Sequence, residues 1–198
     1  MRYFALFLVL CGCVSLGEPL VRIQNVSPNV DLDIRYATDN NFTGKKVYPA
    51  AVCGLRKSVA DRLAAVAREF EAMGYQLKVY DCYRPLSVQK RFWALVPDER
   101  YVANPAKGSR HNRGAAVDVT LVDKSGKELE MPSAYDDFSE KAHRDYTGAT
   151  PMALRNKEIL EKVMIHHGFV GLPTEWWHFD AQGWEKYPIE DIPLEDIR

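Results

Sequence analysis

The segment from Ser58 to Asp81 constrains the fold most. Val59, Leu63, Val66, Phe70 and Met73 recur at helical spacing over residues 58–73, and Gly74 stands where such a helix needs its C-cap. From Tyr75 to Asp81 the period changes to the alternation of a strand. Tyr83-Arg84-Pro85 ends it, because a residue ahead of proline is pushed to extended geometry. Helix and strand therefore share one unit, and the rest of the chain continues the mixture. Residues 20–35 carry strand-like alternation. Ser87 to Val96 reads as a second helix stopped by Pro97, and residues 101–114 are loop-like. Ala115 to Val122 is a β-branched strand. A third helix spans 151–167, with Leu154, Ile159, Leu160, Val163 and Met164 as its apolar stripe and Gly168 at its end. Trp176 to Asp180 is a short aromatic strand. No regular βαβ alternation appears, so the fold class is α+β, an antiparallel sheet with flanking helices.

The chain has 198 residues. Residues 1–17 read as a leader and 18–198 as one compact domain. Arg2 followed by the apolar run Tyr3 to Leu10 has the layout of a signal peptide and is short of the roughly 20 residues a membrane-spanning helix needs. The alternative is a buried N-terminal strand or helix. Two exits are open: a lipobox-like Leu10-Cys11-Gly12-Cys13 with lipid on Cys13, or cleavage after Ser15-Leu16-Gly17. Either exports the domain, to the periplasm or to a membrane anchor. Beyond the leader only Cys53 and Cys82 remain, as one disulfide or as two buried thiols. With 46% hydrophobic and 27% charged residues the chain is globular, disorder being expected only in the acidic C-terminal tail. Its net charge of −1 and lack of a basic block give nucleic acid nothing to bind. A membrane contact is expected only through the lipid anchor, and no obligate protein partner is evident.

Two clusters carry chemistry: Ser109-Arg110-His111-Asn112-Arg113-Gly114-Ala115-Ala116-Val117-Asp118, and Glu175-Trp176-Trp177-His178-Phe179-Asp180. Two histidines and a carboxylate can supply three ligands to zinc and leave the fourth position open, as catalytic sites do. Asp118 has small same-face neighbours in Ala116 and Thr120, which leave room beside its carboxylate. Asp180, two residues past His178, is placed to orient its imidazole. Glu175 is expected in a turn after Pro173-Thr174, bent back over the metal. The plainer reading makes His111 a loop histidine and Asp118 a surface residue. Glu140–His143 and Glu175–His178 are both Glu-x-x-His strings, yet a di-iron site of that type requires a four-helix bundle that this chain does not supply. His166-His167 suit a helix C-terminus, His143 a solvated face or a lid, and Phe92 and Trp93 helix packing. Arg110 and Arg113 are either exposed or near a substrate carboxylate. Trp176 and Trp177 either wall a pocket or fill the core.

Ser109, His111, Gly114, Ala116 and Asp118, then Glu175 and His178, and Tyr83-Arg84-Pro85, together resemble the D-alanyl-D-alanine dipeptidase family, which includes vancomycin-resistance dipeptidases. The resemblance covers residues 20 to 185 and implies a zinc D,D-peptidase-like fold holding one Zn2+. It implies His111, Asp118 and His178 as metal ligands, Glu175 as general base and Arg84 as stabiliser of the developing oxyanion. It also implies Asp136 as the clamp for the substrate amine, with Ser109 helping. Where the family has Met-Gly-Thr ahead of that aspartate this chain has Met131-Pro132-Ser133, and Asp137 lies next to Asp136. The expected activity is hydrolysis of D-Ala-D-Ala in cell-wall peptide turnover. Its alternatives are a D,D-carboxypeptidase on longer stem peptides and a non-catalytic zinc-binding module.

Overall fold

The computed structural model describes residues 17–198, so the leader up to residue 16, with its Cys13 lipidation option, lies outside the described residues. In chain order the elements are β1 (Leu20–Arg22), β2 (Asp31–Leu32), β3 (Gly54–Arg56), α1 (Lys57–Met73), β4 (Gln76–Asp81), α2 (Leu86–Leu95), β5 (Ala116–Val122), α3 (Pro151–His166), β6 (Phe169–Gly171) and β7 (His178–Ala181). Short 3-10 turns lie between them. Five strands form the main sheet in the order β2-β4-β5-β7-β6, and β1 pairs with β3 in a separate two-stranded sheet. Every pairing is antiparallel except β2 with β4, at one edge. The α+β class holds, with that parallel edge as a detail the alternation pattern does not reveal.

The helix ends follow the residues placed there. Gly74 takes a φ of +86°, donates to the Glu71 carbonyl and lets Tyr75 N–H reach Phe70 O at 2.9 Å, which turns the chain straight into β4. At the start of α3, Thr150 Oγ1 accepts from Ala153 N–H at 3.1 Å, and Pro151 occupies the first turn. Leu63, Val66 and Phe70 of α1 join Leu77, Val79, Val119 and Phe169 in one continuous core. All seven residues of β5 are buried, so this central strand is covered on both faces. Met73, counted in the apolar stripe, is 46% exposed because it occupies the last turn, beyond the sheet.

Two expectations change. Residues 20–35 do not make one strand: turns at Ile23–Asn25 and Arg35–Ala37 break them, leaving only short pieces paired. The acidic tail is ordered. Leu194 and Ile197 are buried, Ile197 lies against Gly54, and Arg22 N–H donates to Arg198 O at 3.1 Å. The acidic residues of the tail point outward while these two apolar ones anchor it. Cys53 and Cys82 form a disulfide with Cα atoms 5.1 Å apart, tying the residue before β3 to the one after β4.

Candidate metal centre and the cleft around it

The sheet register builds the centre. Asp118 on β5 pairs directly with His178 on β7, and on its other side with Asp81 at the end of β4. His178 is the first residue of β7 rather than its middle; Trp176 and Trp177 belong to the turn before it. His111 arrives from the opposite direction, on a 3-10 turn closed by Gly114. Gly114 has a φ of +66°, and a Cβ there would meet Leu20 at 2.3 Å. Only glycine fits the step between His111 and β5.

The loop is knitted to the strand end it faces. Arg84 N–H donates to His111 O at 3.1 Å, and Asn112 Nδ2 donates to Arg84 O at 2.8 Å. Asn112 Oδ1 accepts from Ser109 N–H at 2.7 Å, while Ser109 Oγ accepts from His111 N–H at 3.2 Å. Tyr-Arg-Pro and Ser-x-His thus form one rigid corner.

Three ligand atoms converge. His111 Nε2 is 3.1 Å from His178 Nδ1 and 3.4 Å from Asp118 Oδ1, and His178 Nδ1 is 3.0 Å from that same oxygen. A tetrahedral zinc with bonds near ~2.0–2.1 Å separates its ligands by about 3.3 Å. The triangle therefore fits a small N/O-liganded ion with only slight adjustment, and all three residues are buried.

The outer hydrogen bonds settle which nitrogen faces inward. His111 Nδ1 lies 2.6 Å from the Cys82 carbonyl, a pure acceptor, so that nitrogen carries the proton and Nε2 keeps its lone pair. His178 Nε2 lies 2.9 Å from Asp180 Oδ1, which leaves Nδ1 for the metal. Asp180 thus stands where its orienting role requires. Tyr135 donates to Asp118 Oδ2 at 3.0 Å and so directs Oδ1 at the histidines.

Electrostatics agree with this geometry. Burial opposes ionisation of Asp118, yet His111 and His178 hold its carboxyl far below the ordinary range. Burial likewise disfavours charge on His178, but hydrogen bonds to Asp118 and Asp180 push its pKa up to about 10. A proton therefore substitutes for the cation when none is bound.

Around the triangle lies a cavity of about 260 Å3. Glu175, Arg84, Asp136 and Ser109 all line it, so the expected site residues come together in one place. Glu175 sits between two turns, its Oε2 3.7 Å from His178 Nδ1, and loss of water around it raises its carboxyl above the usual range. Arg84 is both a salt bridge and a cavity residue. Its Nε and Nη2 donate to Asp81 Oδ2 at 3.2 and 2.7 Å and Nη1 to Gln89 at 2.9 Å. Its guanidinium stands 4.8 Å from the Phe92 ring centroid. Asp136 accepts from Tyr36 Oη at 3.1 Å and Phe42 N–H at 3.3 Å. Among the described residues it is the only non-glycine at positive φ, 60°, a conformation aspartate tolerates better than most. Asp137 faces the neighbouring cavity instead, together with His143. Both tryptophans are buried; Trp177 also walls the cavity, and Trp176 donates to Ser133 Oγ at 3.0 Å.

Several contributors escaped sequence reasoning. Asn112 acts on a backbone carbonyl 28 positions away and Tyr135 on Asp118 17 positions away; Asp81 holds Arg84 three positions on and also accepts from Tyr48 33 positions back. Arg144 is another. Its Nε donates to Leu172 O at 2.9 Å and Nη2 to His178 O at 2.7 Å, clamping both ends of the turn that carries Glu175. Its backbone N–H adds a bond to Pro173 O at 2.9 Å. His166 and His167 both contact Glu69, and none of the three lines this cleft.

A protein-family profile described as D-Ala-D-Ala dipeptidase matches residues 17–191. D-alanyl-D-alanine dipeptidase of Escherichia coli (strain K12) is 37% identical over 170 residues, spanning 86% of this chain and 88% of that one. The protein of the same description from Enterococcus faecalis (strain ATCC 700802 / V583) is 33% identical over 177 residues, or 79% and 87% of the two chains. One from Enterococcus faecium is 30% identical over 195 residues, 87% and 96%.

Proposed function

The chain belongs to the D-Ala-D-Ala dipeptidase family, and on that premise we propose that it is an exported zinc dipeptidase that cleaves D-Ala-D-Ala in cell-wall peptide turnover. The observation that carries the reading is one cavity holding the His111–Asp118–His178 triangle, a glutamate beside it, a fixed cation and a second carboxylate. His111 Nε2, His178 Nδ1 and Asp118 Oδ1 would hold one zinc. When bound, zinc supplies a Lewis acid that polarises the scissile carbonyl and acidifies water.

The chain's own residues do the rest. Glu175, made more basic than an ordinary carboxylate by its loss of water, would take a proton from the attacking water and release it to the leaving amine. Arg84 has five N–H donors, three of which are committed to Asp81 and Gln89. The two that remain serve the negative charge that develops on the carbonyl oxygen, an interaction typically of about 3 kcal/mol. Asp81 keeps the guanidinium from turning away. Asp136 takes the substrate's α-ammonium, with Ser109 as an additional oxygen, and this sets the length of peptide that fits. Export is supported by the Cys53–Cys82 disulfide, since such bonds persist in oxidising compartments.

The test is release of D-alanine from D-Ala-D-Ala by the protein without its leader, with zinc present or removed, beside L-Ala-L-Ala and a pentapeptide stem. Zinc-dependent release from the D,D-dipeptide, abolished in Glu175→Gln, is the expected result. Cleavage of the pentapeptide alone would make the protein a carboxypeptidase, and full activity after metal removal would refute the mechanism.

A further inference from the structure

A second set of metal-ligand atoms lies outside the cleft. α3 ends in His166, and His167 follows as its cap, with Gly168 at a φ of +79° turning the chain into β6. The two rings, 4.8 Å apart between centroids, converge on one carboxylate of α1: Glu69 Oε2 is 3.0 Å from His166 Nδ1 and 2.8 Å from His167 Nε2. Adjacent helical residues ordinarily diverge by about 100°. Here the helix ends between them, and His167 leaves the helical path to meet the same oxygen.

We propose that Glu69, His166 and His167 form a second divalent transition-metal site. The donor set, two imidazoles and a carboxylate, repeats that of the centre in the cleft and suits zinc, nickel or copper rather than calcium or magnesium. One ligand atom from each residue lies within 4.8 Å of the others. The two nitrogen–oxygen separations are a few tenths of an ångström below the ~3.3 Å ligand spacing of a tetrahedral ion. Small outward rotations of these side chains supply the difference.

The ion would come from solution, because His166 is 70% exposed while His167 and Glu69 are partly covered. It would join the last turns of α1 to the end of α3. Arg62, whose Nη1 donates to Gly168 O at 3.3 Å and Gln182 O at 3.1 Å, is held on carbonyls. The site is separate from the cleft. β6 starts beside Ala181, at the far end of β7 from His178, about 10 Å along the strand.

Metal-stripped full chain is titrated with zinc chloride by calorimetry, and the His178→Ala protein with Cu2+ by electron paramagnetic resonance. Wild type should take up two zinc ions in a tight and a weaker step. Glu69→Gln and His166→Ala should each weaken the second step at least about tenfold, a modest loss for one ligand. The tight step and the activity of the zinc-loaded enzyme should be unchanged. His178→Ala should do the reverse, keep the weaker step and show copper coupled to two nitrogens, reduced to one by His166→Ala. One zinc per wild-type chain, or a second step indifferent to both surface variants, would overturn the proposal.

Discussion

Replacing Asp180 by alanine removes the acceptor of the His178 Nε2 proton, a 2.9 Å contact that is largely shielded from water. A hydrogen bond to a charged group contributes about 1.5–3 kcal/mol. Loss of such an orienting partner typically weakens metal affinity by roughly 10–100-fold, and the shielding places Asp180→Ala toward the upper figure. Proton competition modifies this. In the metal-free protein Asp180 also helps raise His178 to about pH 10, and that proton must leave before metal enters. Without Asp180 the imidazolium is less favoured, so metal displaces less proton at low pH and part of the lost affinity returns. The offset shrinks as pH approaches the His178 value of about 10, and some of it remains at pH 9. The penalty should therefore be smaller at pH 6.5 than at pH 9. A competition titration of stripped protein against a chromophoric chelator at both values measures it. A penalty larger at pH 6.5 than at pH 9 would refute the assignment of Nδ1 to the metal and Nε2 to Asp180.

Further outcomes follow from the same geometry. Arg144→Met should cut kcat about tenfold or more by releasing Leu172 O and His178 O, while Arg144→Lys recovers only part because an ammonium cannot hold both carbonyls in one plane; a kcat unchanged in Arg144→Met would remove its positioning role. Asp136, raised to about 7 by loss of water and by Asp118, must be ionised to hold an ammonium, so KM for the dipeptide should rise as pH falls. The midpoint should lie at or below that value, because a bound cation counters Asp118; a KM flat down to pH 5 would argue against the clamp. Cys53→Ser with Cys82→Ser opens a link across 29 positions and should destabilise by about 3–4 kcal/mol on the chain-entropy account, as read by denaturant unfolding.

What the sequence makes legible here is what short range encodes. His111 and Asp118 share a ten-residue string, and Glu175 and His178 a four-residue one, so their chemistry can be read before any fold is known. α1 and its passage into β4 are legible for the same reason, a change of apolar period at a glycine. Asp81 is different: it holds Arg84 only three positions on, but its place beside Asp118 is supplied by strand pairing, which no local string shows. Tyr135 and Arg144 reach the site from irregular segments, where no periodicity operates. The parallel pairing of β2 rests on two residues, too few to show a pattern. The tail looked disordered because its charges outnumber the two apolar residues that dock it.

The two histidines offer opposite ring nitrogens to the metal, and this decides how each could be imitated. The terminal atom of an asparagine side chain reaches as far as Nδ1, and that of a glutamine as far as Nε2. His178→Asn and His111→Gln are therefore the substitutions that keep a donor atom in place, while His178→Gln overshoots and His111→Asn falls short. The centre can be read as a lock with two differently cut wards: residues of equal polarity are not equivalent in it, and reach alone separates them.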